Sequence, residues 1–344
     1  MVLGVYPYQG RTSFDVFHFD VGQGDCILLK GQLTNLLVDC GTKYNTGRYK
    51  NIPFFIERIL DHHQSTIFLI SHFHDDHYNL FQYFYSPNLL FSEIYVPRLP
   101  LRVNRHVGKA IFLYLMASVI VNFRGSRILP QIFRRFGRPA STLQKGDKIN
   151  AIGQKMNVIW PDLSSNLLST KEVYERSNKI ITNLQPLLER YDIQIDNYID
   201  QNDTLELLSI LNEFINRDIH SEEIERILNE LEVEFKYLNN LISLVLITYV
   251  KRKDRIILLG DVPKKVIDIL NINRRPEYRV IKAAHHGTEF GNSLRGLNND
   301  ILLISRNCGE YKALRKVNYG YYCEMNNRLI LSTENVKSSI IFRT

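Results

Sequence analysis

The stretch SHFHDDH at residues 71–77 holds three histidines and two aspartates within six residues and follows a short apolar segment typical of a buried strand. Ionisable side chains in such a place cost desolvation energy unless they are paired or bind a cation. His72 and His74, two apart on an extended chain, can share one metal ion, while Asp76 and His77 reach a second ion as the chain turns. The stretch therefore predicts two adjacent metal ions, with a solvated histidine-rich loop as the alternative.

Similar side chains recur where later strands are expected to end. Asp39 follows the apolar run LLV, Asp261 follows IILLG, and His285 and His286 follow VIKAA. Each aspartate alone is more often a turn former than a ligand. Several strand ends converging at one cleft would build a single site from distant parts of the chain.

In the order Asp39, HxHxDH, Asp261 and histidine, these residues resemble the metallo-β-lactamase superfamily, and the match covers nearly the whole chain. The segments DVGQGD at 20–25, LLGDV at 258–262 and KAAHHGT at 282–288 resemble, more narrowly, the hydrolase domain of the competence protein ComEC and its soluble relatives. That branch includes DNA-handling phosphodiesterases. The resemblance implies an α/β protein built as an αββα four-layer sandwich, here with a helical insertion.

The resemblance also implies the ligands of two divalent ions, with zinc expected and manganese as an alternative. Asp261 would bridge the ions, and Asp39 would orient the loop without touching metal. The separate histidine usual between HxHxDH and the bridging aspartate has no clear counterpart, because His106 and His220 are poor candidates. The implied metal ligands are His72, His74, Asp76, His77, Asp261, and His285 or His286.

The implied reaction is hydrolysis by a metal-activated hydroxide that attacks a phosphorus or carbonyl centre. The catalytic residues would be Asp76 and the pair His285 and His286, of which the member that does not bind metal could protonate the leaving group. The chain has no GxSxG element and no GxxxxGK[ST] element, so a serine hydrolase and a nucleotide-driven motor are not supported.

The net charge of +7 is unevenly distributed. Residues 94–146 contain ten bases and no acid, whereas residues 171–236 contain 16 acids and seven bases, a net charge of −9. A basic face attracts polyanions. The alternatives are a solvated surface and internal pairing between the two segments. If the basic segment binds nucleic acid, the expected contacts are Arg98, Arg102, Arg105, Arg124, Arg127, Arg134, Arg135 and Arg138.

Three functions follow from these features. A phosphodiesterase or nuclease that acts on nucleic acid is favoured by the basic segment. The same metal chemistry allows a hydrolase of a small ester, thioester or lactone. A non-catalytic scaffold that retains the fold is the third, with a protein partner at the helical insertion. Fold-level analogy does not fix the substrate.

The chain is divided into an N-terminal half at residues 1–161, an acidic helical insertion at 162–240 and a C-terminal half at 241–344. The longest apolar run, Ala110–Val121, is shorter than the roughly 20 residues that span a bilayer, so no membrane association is expected. The first ten residues lack the pattern of a signal peptide, and the four cysteines have no CxxC spacing. A cytoplasmic location is expected, and the oligomeric state is left open.

Overall fold

The computed structural model describes residues 3–7, 14–43, 46–60, 64–136, 140–217, 219–248, 255–272, 277–305, 321–322, 325–332 and 339–343. Within these residues the chain forms fifteen β-strands, in two sheets, and nine α-helices. The expectation of a mixed α/β protein is confirmed. Arg138 lies outside the described residues, as do Cys308 and Cys323.

The first sheet has eight strands in the order β1-β15-β2-β3-β4-β5-β6-β7. Strands β2, β3 and β4 are antiparallel neighbours, whereas β4, β5, β6 and β7 run parallel. The strand bounds are β1 Leu3–Pro7, β2 Phe14–His18, β3 Cys26–Gly31, β4 Thr34–Cys40, β5 Ser65–Leu69, β6 Phe91–Pro97, β7 Ser141–Leu143 and β15 Ser339–Arg343.

The second sheet has seven strands in the order β14-β13-β12-β11-β10-β9-β8. It too has a parallel part, β11 to β14, and an antiparallel part, β8 to β11. The strand bounds are β8 Lys148–Ala151, β9 Gln154–Trp160, β10 Val245–Thr248, β11 Ile256–Leu259, β12 Tyr278–Lys282, β13 Asn298–Ile304 and β14 Asn326–Ser332.

Alternate side chains of the strands join two different apolar clusters, as the period of two requires. Ile27 and Leu29 of β3 belong to a cluster that also contains Leu246 and Leu258 of the second sheet. Leu28, between them, belongs to a larger cluster that includes residues of the helices. The two sheets therefore pack against each other through the first of these clusters.

The helices are concentrated in the middle of the chain. Residues 171–241 form four of them, and α5 and α8 both pack on α3. In the described part of the chain, no helix is long and apolar enough to cross a membrane. The helix bounds are α1 Asn51–Ile59, α2 Pro87–Leu90, α3 Arg105–Ile120, α4 Ile128–Phe136, α5 Lys171–Glu189, α6 Ile195–Gln201, α7 Thr204–Phe214, α8 Glu222–Leu241 and α9 Lys264–Ile269.

The loop 71–77 is held in place by backbone contacts with two residues. One is Asp25, just before β3, and the other is Gly41, just after β4. The Gly41 amide donates to the Asp25 carbonyl at 3.1 Å, and the Asp25 amide donates to the Asp76 carbonyl at 3.4 Å. Gly41 is required here because a Cβ atom would lie 2.4 Å from the carbonyl carbon of Asp76. The close approach fixes the position of the loop relative to the first sheet.

We expect Gly41→Ala to displace the loop 71–77, and so to lower both the midpoint of thermal unfolding and the amount of bound metal. Gly146→Ala is the control, since a Cβ atom there meets nothing within 4 Å and only the left-handed φ of 97° opposes the change. That control should cost about 1 kcal/mol and leave metal binding intact. Equal metal content in both variants would contradict the steric role of Gly41.

Candidate metal centre

The loop 71–77 follows β5 and ends in a single 3₁₀ turn, Asp75–His77. It is attached to the second sheet and to α8, because the Ser71 carbonyl accepts from the Leu244 amide at 2.9 Å and the Phe73 amide donates to Asn239 Oδ1 at 3.2 Å. The loop therefore lies where β5, β10 and the last turn of α8 meet.

Asp39 orients this loop. Its Oδ1 accepts the Ser71 amide at 2.7 Å, and its Oδ2 lies 2.8 Å from His77 Nδ1. That contact leaves His77 Nε2 directed to the other acids. Burial opposes protonation of His77, but the carboxylates of Asp39 and Asp261 raise its pKa well above the usual value. Asp39 has a left-handed backbone, with φ of 54°, which a non-glycine residue rarely adopts.

Asp261 is at the centre of the cluster, directly beyond β11. Its Oδ2 lies 3.5 Å from His77 Nε2, 3.6 Å from His286 Nε2 and 4.0 Å from His72 Nε2. The Asp261 amide donates to Ser243 Oγ at 2.9 Å, which fixes the backbone. Burial opposes its ionisation, yet His286 and His77 lower its pKa well below the usual value. One carboxylate thus contacts imidazoles from both halves of the chain.

The other members of the loop surround this carboxylate. His72 Nε2 lies 2.7 Å from His74 Nδ1, and Asp76 Oδ1 lies 3.8 Å from His77 Nε2. Burial lowers the pKa of both His72 and His74 well below the usual value, so both are neutral and able to bind a metal ion.

The two histidines after β12 lie in a strained turn. His285 and His286 have φ of 46° and 54°, and Gly287 continues the left-handed run with 77°. His286 is buried beside Asp25 and Asp261, whereas the His285 side chain is 37% exposed, with Nε2 3.9 Å from Asp261 Oδ2. Strain of this kind occurs mainly at functional sites.

Asp25 and Lys282 also belong to the cluster, and neither was among the predicted site residues. Lys282 Nζ lies 2.5 Å from Asp25 Oδ2 and 3.6 Å from Asp261 Oδ1. Burial opposes ionisation of Asp25, while the Lys282 ammonium lowers its pKa. The sequence carries a usable signal, because Asp25 is the last residue of the motif DVGQGD and directly precedes β3, and Lys282 is the first residue of the motif KAAHHGT and ends β12.

The donor atoms fit a metal ion. Asp25, His77, Asp261 and His286 each offer one ligand atom, and these four atoms lie within 4.8 Å of one another. Several buried atoms of the cluster have no hydrogen-bond partner among the described residues, which would be costly if nothing else bound them. These atoms are Asp25 Oδ1, His74 Nε2, His77 Nε2, Asp261 Oδ1 and His286 Nδ1. Nitrogen and carboxylate oxygen donors suit zinc, iron or manganese.

The structure thus brings together every residue predicted for the metal site: Asp39, His72, His74, Asp76, His77, Asp261, His285 and His286. His106 is elsewhere, with its ring stacked on Tyr174 at a centroid distance of 4.6 Å.

Two of the arginines predicted to bind nucleic acid are paired with acids of the helical segment. Arg105 Nη1 lies 2.5 Å from Asp200 Oδ1, and Arg124 Nη1 lies 2.5 Å from Glu232 Oε1. These contacts match the alternative of internal pairing between the basic and acidic segments.

Other arginines of the basic segment bind polar atoms of the segment itself or of its neighbours. Arg127 donates to the last carbonyls of α3, Arg135 donates to the carbonyls of Gln82 and Phe84, and Arg98 donates to Thr142. Arg102 and Arg134 are exposed. The basic segment is therefore largely used to hold the fold together.

No family model and no curated protein matches the chain. Among solved structures, the CmlA beta-hydroxylase E377D mutant is similar at a TM-score of 0.38 and 10% sequence identity. The alignment covers 86% of this chain and 47% of that one, so the chain spans about half the length of the solved structure.

We expect the purified chain to bind two divalent ions. Asp261→Asn should reduce the content of both, because its carboxylate contacts His72 and His77, whereas Asp39→Asn should keep most of the metal and weaken activity. Asp147→Asn is the control, since that carboxylate accepts the Gln144 amide in a turn outside the cluster. Elemental analysis would contradict the site if wild type held no metal or Asp261→Asn held as much as wild type.

Proposed function

We propose that the protein is a metal-dependent hydrolase of the metallo-β-lactamase superfamily, with the two sheets and their helices forming the αββα sandwich of that superfamily. The observation that supports the proposal is the group Asp25, His77, Asp261 and His286, whose ligand atoms lie within 4.8 Å of one another beside buried donor atoms that have no hydrogen-bond partner among the described residues. A scaffold would gain nothing from retaining so many buried ionisable groups, because each costs desolvation energy.

In this proposal His72, His74, Asp76, His77, Asp261, His286 and Asp25 hold the ions. Zinc is proposed, with manganese as the alternative. Divalent ions in such a centre lower the pKa of water to about 7 and stabilise negative charge on the oxygens of the substrate. Asp39 fixes the His77 ring by accepting from Nδ1, so that Nε2 faces the cluster.

The two histidines after β12 take different roles. His286 is buried between Asp25 and Asp261, so we assign it to the metal. His285 is partly exposed, and its Nε2 lies 3.9 Å from Asp261 Oδ2. From this position it can donate a proton to the leaving group.

We propose a phosphodiester as the substrate class, with nucleic acid as the first candidate. A carboxylic ester, thioester or lactone is the second, and it needs no basic surface. The internal pairing of Arg105 and Arg124 counts against a contact of these two arginines with a polymer. A panel of chromogenic substrates separates these candidates. The metal-loaded protein should hydrolyse bis(p-nitrophenyl) phosphate, and Asp76→Ala should lower kcat/KM by about 100-fold or more. Hydrolysis of p-nitrophenyl acetate alone would assign the second candidate.

Polymer binding is tested separately from the reaction. If Arg102 and Arg134 each contact a phosphate, replacing both with Gln should weaken the salt dependence of binding to single-stranded DNA. The slope of the logarithm of the binding constant against the logarithm of salt concentration should become less negative by about 1.4, at roughly 0.7 per phosphate. Arg226→Gln is the control, because that arginine pairs with Glu230 on the acidic helix α8. An unchanged slope in the double variant would show that the polymer does not track this surface.

A further inference from the structure

A cleft adjoins the metal centre on the side of His74 and Asp75. It has a volume of about 60 Å³. Its other walls come from α3, the turn that follows it, and α8. Tyr114 and Phe235 belong to its apolar lining and stack on each other at 4.0 Å between ring centroids. The ring of Phe235 also packs on that of His74 at 5.5 Å. The cleft therefore shares a wall with the metal site.

Two cations line this cleft on either side of one carboxylate. Glu232 Oε1 lies 2.5 Å from Arg124 Nη1 and 2.5 Å from Lys236 Nζ. The arginine comes from the basic segment and the lysine from the acidic helix. One carboxylate cannot neutralise both cations, so this triad has a net charge of +1. The carboxylate of Asp75 also lines the cleft, on the wall towards the metal centre, so the anion is expected beside Arg124 and Lys236, away from Asp75.

Both cations keep donors for a further partner. The guanidinium of Arg124 has five N–H donors, of which one at Nη1 bonds Glu232 and one at Nη2 bonds Asn229. Lys236 has three, of which one faces Glu232. Their side chains are 51% and 45% exposed, so a ligand in the cleft can reach them.

The backbone around Arg124 is strained. Asn122 and Arg124 both have φ of 52°, and Gly125 follows with 78°. Two non-glycine residues in the left-handed region within three positions are uncommon, and such strain concentrates at ligand sites. The strained turn places the guanidinium at the cleft instead of letting α3 continue.

Lys236 lies on the part of α8 that is hydrogen-bonded to the loop 71–77. It lies one turn before Asn239, whose Oδ1 accepts the Phe73 amide. The backbone of α8 at Lys236 is therefore held close to the loop 71–77.

We propose that Arg124 and Lys236 form an anion-binding subsite beside the metal centre, so that the substrate carries a second phosphate next to the phosphodiester that is cleaved. The inference rests on the proposed hydrolase function and names its substrate class. With a volume of about 60 Å³ the cleft has room for several water molecules, and therefore for the oxygens of a phosphate group. Arginine and lysine are the usual partners of such a group.

Two matched chromogenic substrates test the subsite, because they differ by a single phosphate. These are thymidine 5′-(p-nitrophenyl phosphate) and the same compound with a 3′-phosphate. In wild type, kcat/KM should be about tenfold or more higher for the compound with the added phosphate, through a lower KM. In Lys236→Gln and in Arg124→Gln the ratio of the two values should fall towards one.

Two further variants sharpen the test. Glu232→Gln removes the carboxylate that competes for both cations, so the ratio should rise above that of wild type. Lys179→Gln is the matched control, since Lys179 also pairs with a glutamate of α8, Glu234 at 2.5 Å, outside the cleft. It should leave both kcat/KM values unchanged.

A ratio near one in wild type, or a ratio that Lys236→Gln does not change, would overturn the subsite and leave the hydrolase proposal standing. If neither compound is hydrolysed, the phosphodiesterase proposal fails, and calorimetry of thymidine 3′,5′-bisphosphate against thymidine 5′-monophosphate decides the subsite. Tighter binding of the bisphosphate that Lys236→Gln abolishes would support it. Equal binding of the two nucleotides would overturn it.

Discussion

The desolvation of charged groups in one cluster is the constraint on which the rest of the site depends. Asp25, Asp39, Asp76 and Asp261 lie among five imidazoles, and removing such groups from water costs several kcal/mol per ion. Internal partners offset part of this cost. Lys282 compensates Asp25, and Asp39 is satisfied by Ser71 and His77. The donor atoms that stay unsatisfied are available to a cation from outside the chain.

Backbone strain is concentrated at the same place. Asp39, His285 and His286 have left-handed φ values, and each costs about 1–2 kcal/mol relative to a relaxed backbone. Hydrogen bonds on both sides hold these residues in place, such as that from the His285 amide to the Gly260 carbonyl at 3.2 Å. The apolar packing between the sheets stabilises the fold enough to offset the cost of this strain. The left-handed backbone in turn directs these side chains towards the cluster.

The sequence was sufficient for the fold class and for most of the cluster, because the ligand types are local. His72, His74, Asp76 and His77 are close in sequence, and Asp261 and the histidine pair follow recognisable strands. Asp25 and Lys282 were missed because their contact joins the start of β3 to the end of β12. These strands lie in different sheets, and no local pattern gives the alignment of one sheet on the other. The pairing of Arg124 with Glu232 depends in the same way on how α8 packs near α3.

The folded structure changes the interpretation of the two oppositely charged segments. As linear sequence they suggest a polyanion-binding face and a separate acidic insertion, but contacts such as Arg105 with Asp200 and Arg124 with Glu232 join them into one body. α8 is in turn hydrogen-bonded to the loop 71–77 through Asn239. The helical segment therefore forms one wall of the cleft that His74 and Asp75 also line. The hydrolytic chemistry of the proposed metal centre suits more than one substrate class, so under the proposed function selection among substrates would depend on this wall.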